Sequence, residues 1–261
     1  MLSDKELQAL NASVTDPDAL FYKGVLYGEF GVRKTTTALR TMRSRAILLH
    51  ADKGWNVIRN HPEEFTKENV IPMEYEGLSQ TKAIVEAVVS NQEPYNDVDL
   101  IVLDTISQMQ ENYIDWLVEN FQYAGNFREK ATPRSGVKEQ AVEITGLPDY
   151  HLARNKMRPV INLLVNAPVN VIFLAHTREP SAMEKAAGKI ERRPNVTEAV
   201  YKIIARDATF IGYMEKRKDE YTIDFTPKNT QSAKSQIAAL TDKKISVDKF
   251  PQILWDWQDG K

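Results

Sequence analysis

One nine-residue stretch concentrates the chemistry of this chain: Gly28-Glu29-Phe30-Gly31-Val32-Arg33-Lys34-Thr35-Thr36. The pattern G-x-x-x-x-G-K-[ST], placed between a strand and a helix, grips a polyphosphate. Gly28 fills the first glycine, and Lys34 and Thr35 fill the last two places. Glycines let successive backbone N–H groups turn inward onto phosphate oxygens. A helix starting near Lys34 adds its positive end. The pattern assigns the Lys34 ammonium to the β- and γ-phosphates and the Thr35 hydroxyl to Mg²⁺. Arg33 stands where the pattern has glycine. Either Arg33 sits strained at positive φ, at a cost on the order of 1 kcal/mol, or the loop is reshaped and the guanidinium touches phosphate.

Three polar residues at the ends of apolar runs complete the set. Asp104 ends Ile101-Val102-Leu103 and is placed to hold Mg²⁺ beside Thr35; the plainer reading is a turn residue. Asp52 follows Ala46–Ala51, where a carboxylate can orient the attacking water; it can equally form the turn before Lys53-Gly54. His176 ends Val171–Ala175, where it can sense the γ-phosphate and signal to the next loop, or be a satisfied polar group. Between Arg178 and Arg206 lie seven basic residues against four acidic. Arg178, Lys185, Lys189, Arg192 and Arg193 are the candidates there for tracking a DNA backbone, against a merely solvated face. Lys228 follows a late strand and could reach a neighbouring subunit's nucleotide.

The elements needed to position these residues are legible. The spacing predicts strands at Leu20–Tyr27, Ala46–Ala51, Val98–Asp104 and Val169–His176, with helices at Lys34–Arg43, Leu78–Val89, Met109–Phe121 and Tyr150–Val165. Val70–Tyr75 reads as an edge strand, because Pro72 cannot donate to a central ladder. Pro159 predicts a kink or break in its helix. Residues 124–148 read as an insertion loop and 178–195 as a mobile loop. Val196–Arg206 reads as a helix, Phe210–Met214 and Tyr221–Phe225 as a hairpin, and Phe250–Trp257 as a last strand or docking segment. Ser3 and Glu6 have capping-box spacing for a short N-terminal helix. Alternating strands and helices make this α/β, with a mostly parallel central sheet flanked by helices and a C-terminal β-hairpin. Ligands then bind at the strands' C-terminal edge.

Composition bounds the rest. The chain has 261 residues, 34 Lys+Arg against 36 Asp+Glu, a net charge of −2 and no cysteine. A globally basic nucleic-acid coat is excluded, leaving only local patches. So are a disulfide scaffold, a Cys nucleophile and a thiolate zinc site. The absence of cysteine fits a reducing cytoplasm. No apolar run is long enough to span a bilayer, and the N-terminus lacks the shape of a signal peptide.

The succession Gly28–Thr36, Ala51-Asp52, Leu103-Asp104, Ala175-His176 and Thr226-Pro227-Lys228-Asn229 resembles the motif order of RecA-like ATPases. The stretch from Pro148-Asp149-Tyr150 to His176 particularly resembles bacteriophage RecA-like ATP-binding proteins, which are associated with single-strand annealing and recombination. The resemblance covers about residues 20–230. It implies a RecA-like P-loop NTPase core there, preceded by an N-terminal helix and linker (1–19) and followed by a C-terminal tail (231–261). It implies ATP and Mg²⁺ bound by Gly28–Thr36, with Thr35 and Asp104 on the metal. Lys34, Asp52 and His176 would serve hydrolysis, with Lys228 acting across a subunit interface. It further implies single-stranded DNA as partner, a homo-oligomer, no membrane, and a cytoplasmic location (the host's, if phage-encoded). Asp52 is one methylene shorter than the usual glutamate, which together with Arg33 points to slow turnover. The rival readings are a nucleotide-dependent assembly module without turnover and a small-molecule phosphotransferase.

Overall fold

The computed structural model describes residues 20–52, 55–120, 147–188 and 191–261. Its elements run β1 (Lys23–Gly28), α1 (Lys34–Leu39), β2 (Arg45–His50), α2 (Asn56–Asn60), β3 (Val70–Glu74), α3 (Leu78–Val89), β4 (Val98–Asp104) and α4 (Ile106–Asn120). They continue α5 (Leu147–Asn166), β5 (Asn170–Arg178), α6 (Ala182–Ala186), β6 (Arg193–Pro194), α7 (Glu198–Asp207), β7 (Phe210–Arg217) and β8 (Glu220–Asp224). The chain closes with β9 (Lys234–Ser235), β10 (Lys244–Ser246) and α8 (Phe250–Gln258).

The main sheet has the order β10-β8-β7-β1-β5-β4-β2-β3. From β7 to β3 every pair is parallel, while β7–β8 and β8–β10 are antiparallel. Strands buried on both faces cannot alternate apolar with polar, and β1 and the first six residues of β5 are buried at every position. One face packs Val25, Ile47, Ile101, Val171 and Phe173 against α3, α4, α5 and α7. The other packs Leu26, Leu48, Val102 and Ile172 against α1 and the C-terminal aromatics Phe225 and Phe250. The architecture is a P-loop NTPase fold. It brings the C-terminal ends of β1, β2, β4 and β5 together on one edge, with β5 between β1 and β4.

Pro72 lies on the edge strand, paired only with β2, as expected. Other expectations need correction. Pro159 does not break its helix, which runs unbroken from Leu147 to Asn166; the proline is on an exposed face, where water can take the orphaned carbonyl. The helix after the phosphate loop is shorter than expected and ends at Leu39. Residues 178–195 are not a bare loop. Ser181 and Glu184 form a reciprocal capping box that opens α6, and Arg193-Pro194 pairs antiparallel with Thr177-Arg178. Phe250–Trp257 is helical rather than extended: Pro251 sits in the first turn of α8, where its missing N–H costs nothing. Phe250 and Leu254, four apart, then face the core. The N-terminal segment 1–19, the turn residues Lys53 and Gly54, and most of the 124–148 insertion lie outside the described residues.

Candidate nucleotide site

The loop after β1 is shaped by two glycines and one arginine. A Cβ on Gly28 would fall 2.4 Å from the Met214 carbonyl oxygen, so only glycine lets β1 pass β7 here. Gly31 takes φ +76 and faces open space. Arg33 answers the question its sequence position raises. It adopts the left-handed conformation, φ 63 and ψ 30, that a glycine would take without penalty. Its guanidinium lies 4.0 Å from the centre of the Tyr221 ring on β8. A cation–π contact of about 0.5–1 kcal/mol at such a site offsets part of the left-handed cost. Arg33→Ala, which keeps the strain and loses the ring contact, is therefore expected to unfold more easily than Arg33→Gly by about 1 kcal/mol. Urea denaturation of the two variants checks this; equal stabilities would refute the strain assigned to Arg33.

Lys34 is buried, and its Nζ donates to the carbonyls of Gly28 (2.9 Å) and Glu29 (2.8 Å). Burial lowers its pKa, while the nearby Asp104, Asp52 and Glu29 carboxylates oppose that shift. The ammonium is thus held among weak neutral acceptors, and an anion is the better partner. Thr35 Oγ1 donates to Asp104 Oδ2 at 2.7 Å. Asp104, buried at the end of β4, has its pKa pushed up to about 6, chiefly by desolvation. A hydroxyl and a buried carboxylate in contact are a hard-oxygen donor set, which suits Mg²⁺.

The neighbouring strand ends supply the other polar groups. The Ala51 N–H donates to the Asp104 carbonyl at 2.7 Å, tying the end of β2 to β4. His50 Nδ1 lies 3.0 Å from the Asp52 carbonyl and steadies that turn. Asp52 Oδ2 then stands 3.7 Å from His176 Nε2. The backbone N–H of His176 donates to Ser107 Oγ at 3.1 Å, and its ring packs 4.4 Å from Phe30. His176 Nδ1 is buried without a hydrogen-bond partner among the described residues.

Lys34, Thr35, Asp52, Asp104 and His176 converge on one pocket of about 280 Å³, which residues 30–36 also line. Val57, Asn60, His61 and Thr105 complete the lining. Thr105 comes with Asp104 at the end of β4; no motif marks Val57, Asn60 and His61, whose arrival depends on where α2 packs, which spacing does not reveal. The α1 helix has only six residues, so the loop amides and Lys34 carry more of the anion attraction than the helix dipole does.

The remaining sequence candidates lie elsewhere. Lys228 Nζ is held by Asp224 of its own chain. Arg178 pairs with Glu184 at 2.9 Å, Arg192 with Glu179 at 2.7 Å and Arg193 with Glu198 at 3.7 Å. Much of that segment's positive charge is therefore balanced locally. Lys185 closes α6, and Lys189 lies outside the described residues. No helix among the described residues is long and apolar enough to cross a membrane.

Residues 20–237 match the AAA domain family. No curated protein matches the chain. The chain belongs to the AAA domain family, and so to the P-loop ATPases.

Proposed function

We propose that this member of the AAA domain family binds ATP with Mg²⁺ through Gly28–Thr36 and hydrolyses it slowly. The convergence of Lys34, Thr35, Asp52, Asp104 and His176 on a single pocket carries this reading. The loop amides and the Lys34 ammonium hold the β- and γ-phosphates, and Lys34 leaves the Gly28 and Glu29 carbonyls to do so. Thr35 and Asp104 are the residues to hold Mg²⁺, which when bound neutralises phosphate charge. Asp52 orients the attacking water and takes its proton. His176, beside Asp52, registers the γ-phosphate and passes its presence along β5 to Arg178 and the capped turn at Ser181. The downstream work is binding single-stranded DNA as a homo-oligomer in recombination, supported by the motif order shared with phage RecA-like proteins. Lys228 would act in trans only after releasing Asp224.

The assembly-module reading has one observation in its favour: the side chain of Asp52 is 37% exposed, and among the described residues its carboxylate has no hydrogen-bonded partner, only the 3.7 Å contact to His176. A loosely held, shortened base makes turnover slow. Asp52→Asn separates the readings. Phosphate release should fall about 10²-fold, with MgATP affinity within a few fold of the parent chain. Unchanged release would remove Asp52 from the reaction. The same assay with and without single-stranded DNA tests the partner: stimulation supports the recombination reading, and its absence with every DNA tried would remove it. Stimulation by a small phosphate acceptor instead would favour a phosphotransferase.

A further inference from the structure

We infer that the cleft between α5 and α7 is the track for a nucleic-acid phosphodiester backbone. The inference rests on the single-stranded DNA reading above and gives the strand a place outside residues 178–195. The two helices pack side by side through Met157 and Ile161 on one and Val200 and Ile204 on the other. Along their outer seam runs a cleft of about 510 Å³, lined by Arg154 and Arg158 from α5 and by Lys202 and Arg206 from α7. Ala199 and Ile203 are its apolar lining, and Glu198 is the carboxylate among its described lining residues. Among the described lining residues four cations thus face one anion, in a chain whose net charge is −2.

The arrangement is costly without a ligand. Arg154 and Arg158 are four apart on one helix, and Lys202 and Arg206 are four apart on the next. Like charges at that spacing repel and destabilise a helix. On α7 carboxylates relieve this: Glu198 reaches Lys202 at 2.7 Å, and Asp207 reaches Arg206 at 2.7 Å. On α5 nothing relieves it, since Arg154 and Arg158 are exposed and make no ion pair among the described residues. Arg178, Arg192 and Arg193, by contrast, are each held by a carboxylate, so the Arg154/Arg158 pair carries charge that the 178–195 segment does not. Residues four apart on a helix are separated by about 6 Å along its axis, so each pair presents a repeating cation to a repeating anion. Among the described residues the cleft lining is cations, one carboxylate and the apolar Ala199 and Ile203, a surface suited to phosphates. Binding is to the backbone, independent of sequence and steeply salt-dependent.

The test is fluorescence anisotropy of a labelled 30-residue oligothymidylate titrated with the full chain at several NaCl concentrations. Arg154→Glu/Arg158→Glu should weaken binding at least about tenfold, with a salt slope shallower by about 1.4, two phosphates at 0.7 each. Lys202→Gln/Arg206→Gln, approaching from the other helix, should weaken it in the same direction, and Arg192→Glu should change it less than either. All four cleft positions are exposed, and thermal unfolding of each variant at the parent's temperature verifies the fold. If both cleft variants bind like the parent while Arg192→Glu does not, the cleft is overturned and the DNA reading stands. If the parent chain itself binds no oligonucleotide at low salt, the DNA reading and the cleft fall together. MgATP binding by the parent, measured separately, reports on the nucleotide pocket alone.

Discussion

Lys34→Ala is expected to abolish measurable MgATP binding and to lower phosphate release by at least about 10³-fold. Among the described residues the ammonium's hydrogen-bond partners are the Gly28 and Glu29 carbonyls, at 2.9 and 2.8 Å. Those bonds pre-position a charge whose full worth is realised against an anion, where charge-assisted bonds are roughly twice as strong as neutral ones. Alanine removes the buried ammonium that the pattern assigns to the β- and γ-phosphates. The loss should not come from unfolding. Burial depresses the Lys34 pKa, so the charged form is less at home in the folded chain than in water. Deleting it therefore offsets the lost hydrogen bonds, and the unfolding temperature should hardly move. Calorimetric titration with MgATP and a thermal melt of the same sample check both halves. Retained nucleotide affinity would break the assignment of Lys34.

Asp104→Asn should separate stability from activity in the opposite direction. Turnover should fall about 10³-fold, because an amide is a poor partner for a divalent cation where a carboxylate was. The ligand-free protein should nonetheless become more stable. Desolvation raises the Asp104 pKa from 3.8 to about 6, and that rise corresponds to about 3 kcal/mol of cost for the ionised form. The sign follows from linkage. Below about pH 4 the acid is neutral in both states and the cost is absent. Between about pH 4 and 6 the unfolded chain releases the proton more readily, so stability falls as pH rises. Above about pH 6 the full cost is present. The gain from Asp104→Asn should thus be largest at pH 8 and should vanish near pH 4. Urea denaturation across that range is the measurement. A variant less stable than the parent at pH 8 would show that the Thr35 hydrogen bond outweighs desolvation.

The residues of the pocket that could be read from the sequence are those whose chemistry is local. Gly28, Lys34 and Thr35 announce themselves by spacing, and Asp52, Asp104 and His176 by ending apolar runs. A parallel sheet then does the rest, because it gathers strand ends on one edge whatever lies between them. What the sequence could not supply is contact across long separations. Tyr221 lies far along the chain from Arg33, and only the hairpin β7–β8 beside β1 brings its ring under the guanidinium. Asn60 and His61 reach the pocket through the packing of α2, whose five residues leave no periodic signature. Two of the corrected elements do carry local signals. The Ser181–Glu184 spacing is a capping box, and Pro251 in the first turn is a helix start. Dense apolar residues around Trp255 and Trp257 mask the second, since a short apolar run fits strand and helix alike.

A crystal structure grown with Mg²⁺ and a non-hydrolysable ATP analogue tests the central claim most directly. The triphosphate should be wrapped by the main-chain amides of residues 29–35. Lys34 Nζ should have moved off the Gly28 and Glu29 carbonyls onto the β- and γ-phosphates, with the metal between Thr35 and Asp104. A triphosphate bound elsewhere on the chain, or a loop whose ammonium still holds its own carbonyls with nucleotide present, would contradict that claim.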